Sequence, residues 1–312
     1  MSRVAAIDCG TNSIRLLVAD VNGDNLGEID RQMRIVRLGE GVDATGFFNL
    51  EAVERTLTAL KEYQEIMVSK GVEKIRFCAT SATRDARNRN IFVDGVREII
   101  GIEPEVISGQ EEANLSFIGA VRELKYQEPP FLVVDIGGGS TEFVYGEKEV
   151  IFAKSVNIGC VRMRERHFTA LPPNPKEIQL AVEDIDKAIN NASQLVPIKE
   201  AKTLVAVAGT ATTVAASALE LNEYDRHSIH LAQIPANKVY EVAQKFLLMS
   251  AEELSKLGYM HPGRVDVIAA GALVLSRIMK ATGATEFIAS ETDILDGMAL
   301  SIINKVDLAP LN

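Results

Sequence analysis

Two segments of the sequence place glycine and hydroxyl-bearing residues directly after an apolar run that ends in aspartate. Residues 4–7 lead into Asp8, and residues 132–134 lead into Asp135. The turn residues that follow are Gly10, Thr11, Asn12 and Ser13 in the first copy, and Gly137, Gly138, Gly139, Ser140 and Thr141 in the second. Glycine lets the backbone turn tightly and approach a ligand, and successive amides and hydroxyls can converge on an anion. The pattern predicts phosphate binding.

The two copies form a gapless internal repeat. A constant offset of 127 positions maps Asp8 onto Asp135, and Gly10 onto Gly137. Each copy predicts a buried strand, a turn and a second strand. One copy alone would be weak evidence for phosphate binding, since such turns also close ordinary hairpins. Two copies in register predict two facing hairpins that clamp one phosphate chain between two domains, with the aspartates placed to hold a divalent cation or a water.

A third glycine loop, Gly209 and Thr210, follows the apolar residues 204–208 and opens an alanine-rich helical pattern. Amides at a helix N-terminus favour an anion. An ordinary strand–helix junction with a threonine cap explains the same residues equally well. The P-loop and Rossmann fingerprints do not occur in the sequence, so those nucleotide sites are not indicated.

Length and periodicity predict an α/β fold built twice. The 312 residues, 47% of them hydrophobic, suit two domains with separate cores. Strands at 75–80 and 105–108 alternate with helices at 50–69, 90–100, 110–123, from about 176, 264–282 and 294–305, which indicates mixed sheets covered by helices. We place the joint at 127–130, giving domains 1–126 and 127–312, and leave open that the last helix packs back on the first domain.

Composition excludes several classes of protein. The net charge of −10 argues against general nucleic-acid binding. No apolar run reaches 18 residues, so we expect no membrane span. The charged and polar residues of the first 15 positions rule out a secretory signal, so we expect a cytoplasmic protein.

Other candidate reactive groups have ordinary structural explanations. We expect Cys9, Cys78 and Cys160 to be small buried side chains rather than reactive thiols. His227 and His230 lack a zinc-like pattern and are interpreted as surface or substrate-neighbourhood residues. Two basic clusters, Arg84 to Arg89 and Arg162 to His167, suit solvated helix faces, although Arg84 is also a candidate for anion contact.

Five ordered motifs carry a resemblance to a known family. They are Asp8-x-Gly10-Thr11-Asn12-Ser13, Ala79-Thr80-Ser81-Ala82-x-Arg84-Asp85-Ala86-x-Asn88, Ser108-Gly109-Gln110-Glu111-Glu112-Ala113, Asp135-x-Gly137-Gly138-Gly139-Ser140-Thr141-Glu142 and Gly209-Thr210-x-Thr212-Thr213. Together they resemble the exopolyphosphatase/guanosine pentaphosphate phosphatase (Ppx/GppA) family along essentially the whole chain. The resemblance implies the actin-like fold of acetate and sugar kinases, Hsp70 and actin, with two domains and an active site in the interdomain cleft.

The resemblance also implies roles for individual residues. Glu112 matches the family's catalytic base, and Arg84 resembles a phosphate-contacting arginine. Asp135 and Glu142, with Asp8, would position Mg²⁺. The turn residues, Arg15, Gly209 and Thr210 would bind substrate phosphates. From the residues alone, Glu111 and Glu112 suit a first-turn acidic pair that complements the helix dipole, and only one of them can face the cleft.

The expected activity is hydrolysis of the terminal phosphoanhydride of inorganic polyphosphate, of pppGpp, or of both. Alternatives are a kinase of the same fold and a non-catalytic polyphosphate- or nucleotide-binding regulator. Longer members of the family continue into C-terminal helical domains that this sequence does not contain, so we expect short polyphosphate chains to be preferred. Members of the family often pair, which leaves a homodimer open.

Overall fold

The computed structural model describes residues 2–304, which form two compact units. The first unit contains the chain up to Gly119 together with the chain from Ile294, and the second contains Ala120–Asp293. The domain limits 1–126 and 127–312 stay a prediction, and residues 305–312 of the second lie outside the described residues.

The first unit is built on a five-stranded mixed sheet. Its strands are β1 (Ser2–Cys9), β2 (Ser13–Asn22), β3 (Asn25–Ile35), β4 (Lys74–Ala79) and β5 (Glu105–Val106). They lie in the order β3-β2-β1-β4-β5. The first three are antiparallel neighbours, and β4 and β5 run parallel to β1. The strands predicted at 75–80 and 105–108 are β4 and β5.

Five helices lie between residues 42 and 121. They are α1 (Val42–Thr45), α2 (Leu50–Ser69), α3 (Ser81–Asp85), α4 (Asn90–Ile100) and α5 (Gly109–Val121). Helix α2 has its predicted bounds because the Asn49 side chain caps the Glu51 amide. Its apolar spacing buries Val53 and Leu60, whereas Leu50 at its start is exposed.

The second unit repeats the sheet of the first. Its strands are β6 (Phe131–Ile136), β7 (Thr141–Gly146), β8 (Val150–Val156), β9 (Thr203–Val207), β10 (Gln233–Pro235) and β11 (Glu286–Ala289). The order β8-β7-β6-β9-β11 matches β3-β2-β1-β4-β5 strand for strand, and β10 is added antiparallel at the edge. The predicted duplicated α/β fold is confirmed.

The remaining helices follow the second glycine turn. They are α6 (Cys160–His167), α7 (Pro175–Ser193), α8 (Ala208–Ala218), α9 (Arg226–Ile229), α10 (Ala236–Leu248), α11 (Ala251–Ser255), α12 (Ile268–Thr282) and α13 (Ile294–Asn304). Helix α12 begins later than the predicted residue 264 because Pro262–Arg264 form a separate 3-10 turn. Residue 305 of the predicted last helix lies outside the described residues.

Helix α13 completes the core of the first unit. Its Leu295, Met298 and Ile302 pack with Val4 and Leu17 of the sheet. The chain therefore returns to its first sheet after building the second unit. Within residues 2–304, no helix has both the length and the apolar content needed to cross a bilayer.

Candidate active site

In the turn between β1 and β2, the carbonyl groups of Thr11 and Asn12 accept hydrogen bonds from the segment that follows β3. The Thr11 carbonyl accepts the Gly39 amide at 2.9 Å, and the Asn12 carbonyl accepts the amides of residues 36–37 at 3.0 and 2.9 Å. In a planar trans peptide the C=O and the following N–H point in opposite directions. The amides of Asn12 and Ser13 are therefore directed away from residues 36–37 and Gly39.

The turn between β6 and β7 is held in the same way by a different element. Three consecutive carbonyls accept hydrogen bonds from the start of α6: Gly137 from the Cys160 amide (2.9 Å), Gly138 from the amides of Val161 (2.9 Å) and Arg162 (3.1 Å), and Gly139 from Arg162 Nε (2.7 Å). The amides of Gly138, Gly139 and Ser140 consequently point away from α6. In the described part of the chain these three amides donate to no other group, which leaves them available to an anion.

Close packing between the turn and the start of α6 requires glycine at position 159. A Cβ on Gly159 would lie 2.2 Å from the carbonyl carbon and oxygen of Gly138. The turn itself is closed by the Gly137 amide, which donates to the Ser140 carbonyl at 3.1 Å, as Gly10 does to Ser13 at 2.9 Å. The repeat seen in the sequence is thus a repeat of hydrogen bonding.

The strand-end aspartates of the two hairpins differ in their partners. Asp8 lies opposite Arg15 in the β1–β2 ladder, and Arg15 Nη2 and Nε donate to Asp8 Oδ2 at 2.7 and 3.1 Å. Asp135 lies opposite Glu142 in the β6–β7 ladder. The offset of 127 maps Arg15 onto Glu142, so the same position carries a cation in one hairpin and an acid in the other.

Asp135 and Glu142 place two carboxylates opposite each other in the β6–β7 ladder. Residues directly opposite in an antiparallel pair share a face, with Cβ atoms about 4.5–5.5 Å apart. Both residues are buried, with Asp135 7% and Glu142 1% exposed, and Ser155 Oγ donates to Glu142 Oε1 at 2.7 Å. Two facing carboxylates are compensated by a cation or a shared proton. Within residues 2–304, no group of three or more histidine, cysteine, aspartate or glutamate side chains is arranged to hold a metal ion by itself.

Glu112 and Arg84 are brought together in the first unit. Glu112 is 8% exposed, and its Oε2 lies 2.7 Å from Arg84 Nη1, which also donates to the Ile107 carbonyl at 2.9 Å. The first turn of α5 is fixed by Ser108, whose Oγ and carbonyl accept the amides of Glu111 (3.1 Å) and Glu112 (2.9 Å). Glu111 has a different partner, Arg76, at 2.5 Å, so the two adjacent glutamates are directed to different neighbours.

The Arg84 helix is connected to the first glycine turn. Thr11 Oγ1 and Ser81 Oγ lie 2.9 Å apart, and the Thr80 amide donates to the Cys9 carbonyl at 3.1 Å. The first unit therefore gathers the Gly10–Ser13 turn, Arg84 and Glu112 through direct contacts. Thr80 and Ser81 were not predicted as site residues, although they stand in the same motif as Arg84.

The third loop places Gly209 and Thr210 in the first turn of α8. Gly209 packs against the Arg264 guanidinium, because a Cβ on this glycine would lie 2.2 Å from Arg264 Nη2. Arg264 Nη1 donates to Thr213 Oγ1 at 3.1 Å. A guanidinium therefore lies beside this helix N-terminus, and Arg264 escaped prediction because it is distant from the loop in sequence.

The interpretation of Arg162 as part of a solvated helix face is wrong. Its side chain is buried, with 8% of the residue exposed, because its Nε binds the Gly139 carbonyl. The expected burial of Cys9, Cys78 and Cys160 is confirmed. Burial raises the pKa of all three thiols, which keeps them protonated at neutral pH.

A hydrogen-bonded network borders α8 in the second unit. Tyr224 Oη donates to Glu291 Oε1 at 2.5 Å and lies 2.7 Å from Thr212 Oγ1. Burial raises the pKa of Glu291, although the hydrogen bond from Tyr224 lowers it in part. His230 accepts the Glu291 amide at Nδ1 (3.1 Å) and lies 2.9 Å from Glu123 through Nε2, whereas His227 is exposed.

Residues 17–306 match the family model described as the Ppx/GppA phosphatase family. The chain belongs to this family. It is 45% identical to exopolyphosphatase 2 of Mycobacterium tuberculosis, covering 97% of this chain and 99% of that protein. A crystal structure of an exopolyphosphatase-like protein superposes with a TM-score of 0.93 at 42% identity, covering 96% of this chain and 97% of the other. The Ppx/GppA protein of Aquifex aeolicus gives 0.82 at 30% identity, covering 99% of each chain.

Membership in the Ppx/GppA family confirms the predicted actin-like duplicated fold. It also confirms the predicted enzyme class, a hydrolase acting on phosphoanhydrides. The roles assigned to individual residues stay predictions.

Proposed function

We propose that this protein is an exopolyphosphatase, which transfers the terminal phosphoryl group of inorganic polyphosphate to water. The observation that carries the proposal is the second glycine turn, whose amides at Gly138, Gly139 and Ser140 face away from α6 and follow directly on the carboxylate pair Asp135 and Glu142. Such a turn suits a phosphoryl group whose charge is shared with a bound cation. The name of the Mycobacterium relative supports polyphosphate as the substrate.

Glu112 is the proposed general base. A carboxylate that is nearly buried and held at 2.7 Å by Arg84 has a fixed position, and a base must lie within hydrogen-bond reach of the water it activates. Arg84 would neutralise charge on the phosphoryl group as that water attacks. The turn between β1 and β2 would bind phosphate oxygens through the amides of Asn12 and Ser13. The Arg15 guanidinium beside Asp8 adds positive charge to this hairpin.

Mg²⁺ is the proposed cofactor, held by Asp135 and Glu142. Bound there, it would neutralise charge on the phosphate oxygens of the substrate. Asp8 already has a cationic partner in Arg15, so we assign it a lesser share of metal binding. That the two turns meet across a shared cleft stays a prediction, as do a cytoplasmic location and a homodimer.

The deciding experiment measures phosphate release in the presence of Mg²⁺. Short polyphosphate, long polyphosphate and pppGpp are compared at equal terminal-phosphate concentration, with the Glu112→Gln variant as the control for contaminating phosphatases. We expect release from polyphosphate, fastest with short chains, and its loss in the variant. Release from pppGpp alone would move the proposal to the second substrate of the sequence analysis.

Two rival classes give different results in the same assay series. A kinase of this fold would form a phosphorylated sugar or acetate from ATP and would release little phosphate. A non-catalytic regulator would bind polyphosphate without releasing phosphate. Either outcome would overturn the proposed hydrolysis.

A further inference from the structure

Arg76, on β4, is buried inside the first unit, with 1% of its surface exposed. Its guanidinium is surrounded by three partners. Nη2 lies 2.8 Å from Glu105 Oε2 and 2.5 Å from Glu111 Oε1, and Nη1 donates to Ser301 Oγ at 2.6 Å. Burial alone would lower the pKa of Arg76, but the two carboxylates outweigh it and raise the pKa, so the guanidinium is charged.

The partners of Arg76 come from three separate elements. Glu105 belongs to β5, Glu111 to the first turn of α5, and Ser301 to α13. Of these, only α5 carries Glu112, the next residue after Glu111. The Arg76–Glu111 contact therefore acts on the turn of helix that presents the proposed base.

Helix α5 is held a second time, one turn further along. A Cβ on Gly297 of α13 would lie 2.0 Å from the Leu115 carbonyl oxygen. The glycine therefore lets α13 pack directly on the backbone of α5. With Ser301 bound to Arg76 at 2.6 Å, one helix is in contact with both Arg76 and α5.

We propose that Arg76 is a positioning residue for the reaction, acting through Glu111 on Glu112. The inference rests on the proposed function of Glu112. By fixing the first turn of α5, the Arg76–Glu111 pair sets the place of the Glu112 carboxylate beside Arg84. Position matters strongly here, because a displacement of about 1 Å in a catalytic group can cost about 100-fold in rate.

Glu105 supplies a matched control. It binds the same guanidinium as Glu111, and the two side chains have similar exposure, 35% and 40%. Glu105→Gln and Glu111→Gln therefore remove the same charge from the same guanidinium. They differ in that Glu111 lies on α5, whereas Glu105 lies on β5. A purely structural role for the Arg76 cluster predicts equal effects of the two substitutions.

The test compares steady-state phosphate release from short polyphosphate by the wild type, Glu105→Gln and Glu111→Gln, alongside their thermal unfolding. We expect Glu111→Gln to lower kcat by about tenfold or more with KM changed less than about twofold, since the base is displaced but the phosphate-binding turns are not. We expect Glu105→Gln to keep kcat within about twofold of the wild type at a similar loss of thermal stability. Equal kcat losses in the two variants, or a wild-type kcat in Glu111→Gln, would overturn the inference.

Arg76→Lys tests the Arg76–Glu111 contact by changing the guanidinium instead of the carboxylate. Lysine keeps the charge but loses the planar fork that binds both carboxylates. We expect its kcat to fall as in Glu111→Gln, and the double variant Arg76→Lys/Glu111→Gln to be no slower than the slower single variant, because both changes act on one contact. Additive losses of kcat would show that Arg76 acts by another route and would overturn the inference.

Amide hydrogen exchange over residues 109–115 separates this inference from the proposed function. Exchange should be faster in Glu111→Gln than in the wild type and unchanged in Glu105→Gln, whatever the substrate is. If the wild type released no phosphate, the proposed function would fail, and the exchange result would still decide whether Arg76 fixes α5 through Glu111. Equal exchange in both variants would overturn the inference on its own.

Discussion

Arg84 Nη1 lies 2.7 Å from Glu112 Oε2, so the proposed phosphate-binding arginine and the proposed base form an ion pair within the first unit. The same nitrogen donates to the Ile107 carbonyl at 2.9 Å, which fixes the guanidinium from a second direction. Both groups are thus held in place by the protein alone. This arrangement requires no movement of α5 toward α3 to assemble the pair, and its parts can be tested separately.

Glu112→Gln should retain the fold and lose most phosphate release. Glutamine can still accept a hydrogen bond from Arg84 but cannot take a proton from water. We expect kcat to fall by about 10²–10⁴, the contribution of general-base catalysis. Near-wild-type turnover, with an unfolding curve that matches the wild type, would remove Glu112 from the role.

The Arg84–Glu112 pair should show energetic coupling in the free energy of unfolding. Arg84→Met alone removes the Arg84 guanidinium from a nearly buried carboxylate, whereas Arg84→Met in the Glu112→Gln background removes it from a neutral amide. A double-mutant cycle by chemical denaturation should give a coupling of roughly 0.5–3 kcal/mol. Additive changes in the four proteins would mean that the contact contributes nothing in solution.

Substitutions of Asp135, Glu142 and Asp8 should show that the two hairpins differ in their contribution to Mg²⁺ binding. Asp135→Asn and Glu142→Gln each remove a charge from the facing pair, so the Mg²⁺ concentration for half-maximal phosphate release should rise about tenfold or more. Asp8→Asn should change this concentration less, because Asp8 is bound to Arg15. Chelation of the metal should stop release in the wild type. A larger effect of Asp8→Asn than of Asp135→Asn would contradict the assignment.

Gly159→Ala should disturb the second glycine turn. The added Cβ meets the Gly138 carbonyl at 2.2 Å, so the backbone that directs the turn amides must shift. We expect KM for polyphosphate to rise about tenfold and stability to fall by about 1–3 kcal/mol. The control is Gly27→Ala in β3, where a Cβ would lie 3.7 Å from the nearest atom, an ordinary contact. A KM in Gly159→Ala equal to that of the control would count against the turn as a phosphate site.

Glu291→Gln should change the pH dependence of stability. Because the pKa of Glu291 is raised in the folded protein, the unfolded chain loses this proton first as pH rises, and ionisation then favours unfolding. The stability of the wild type relative to Glu291→Gln should therefore be greatest below the ordinary glutamate pKa and should fall as pH rises through it. Denaturation curves of both proteins at acid and neutral pH measure this difference. A relative stability that rises with pH would show that the pKa is not raised.

The sequence was sufficient for features encoded locally. The bounds of α2 and α4 follow from apolar spacing, because a stripe of buried side chains and a capping residue lie within the same few turns. The paired glycine turns were visible because the repeat has no gaps. The duplicated sheet followed from the alternation of strands and helices.

Features that depend on distant partners could not be predicted. In the sequence, Arg162 cannot be distinguished from a solvent-exposed arginine of a charged helix, because its partner, the Gly139 carbonyl, is 23 residues away. Gly159 packs against Gly138 but belongs to no recognisable motif. Strand register places Arg15 opposite Asp8 and Glu142 opposite Asp135. The turn motif alone does not predict whether the residue opposite each aspartate is a cation or an acid. The start of α12 was placed too early because the separate 3-10 turn at Pro262–Arg264 lies only a few residues before the helix.

The return of α13 to the first unit has a consequence for biosynthesis. Its Leu295, Met298 and Ile302 cover an apolar face that includes Val4 and Leu17, so that face has no cover while the ribosome is still translating Ala120–Asp293. The part of the protein that is made first is thus the part that is finished last. Synthesis interrupted anywhere before Ile294 leaves the apolar face around Val4 and Leu17 without the helix that covers it.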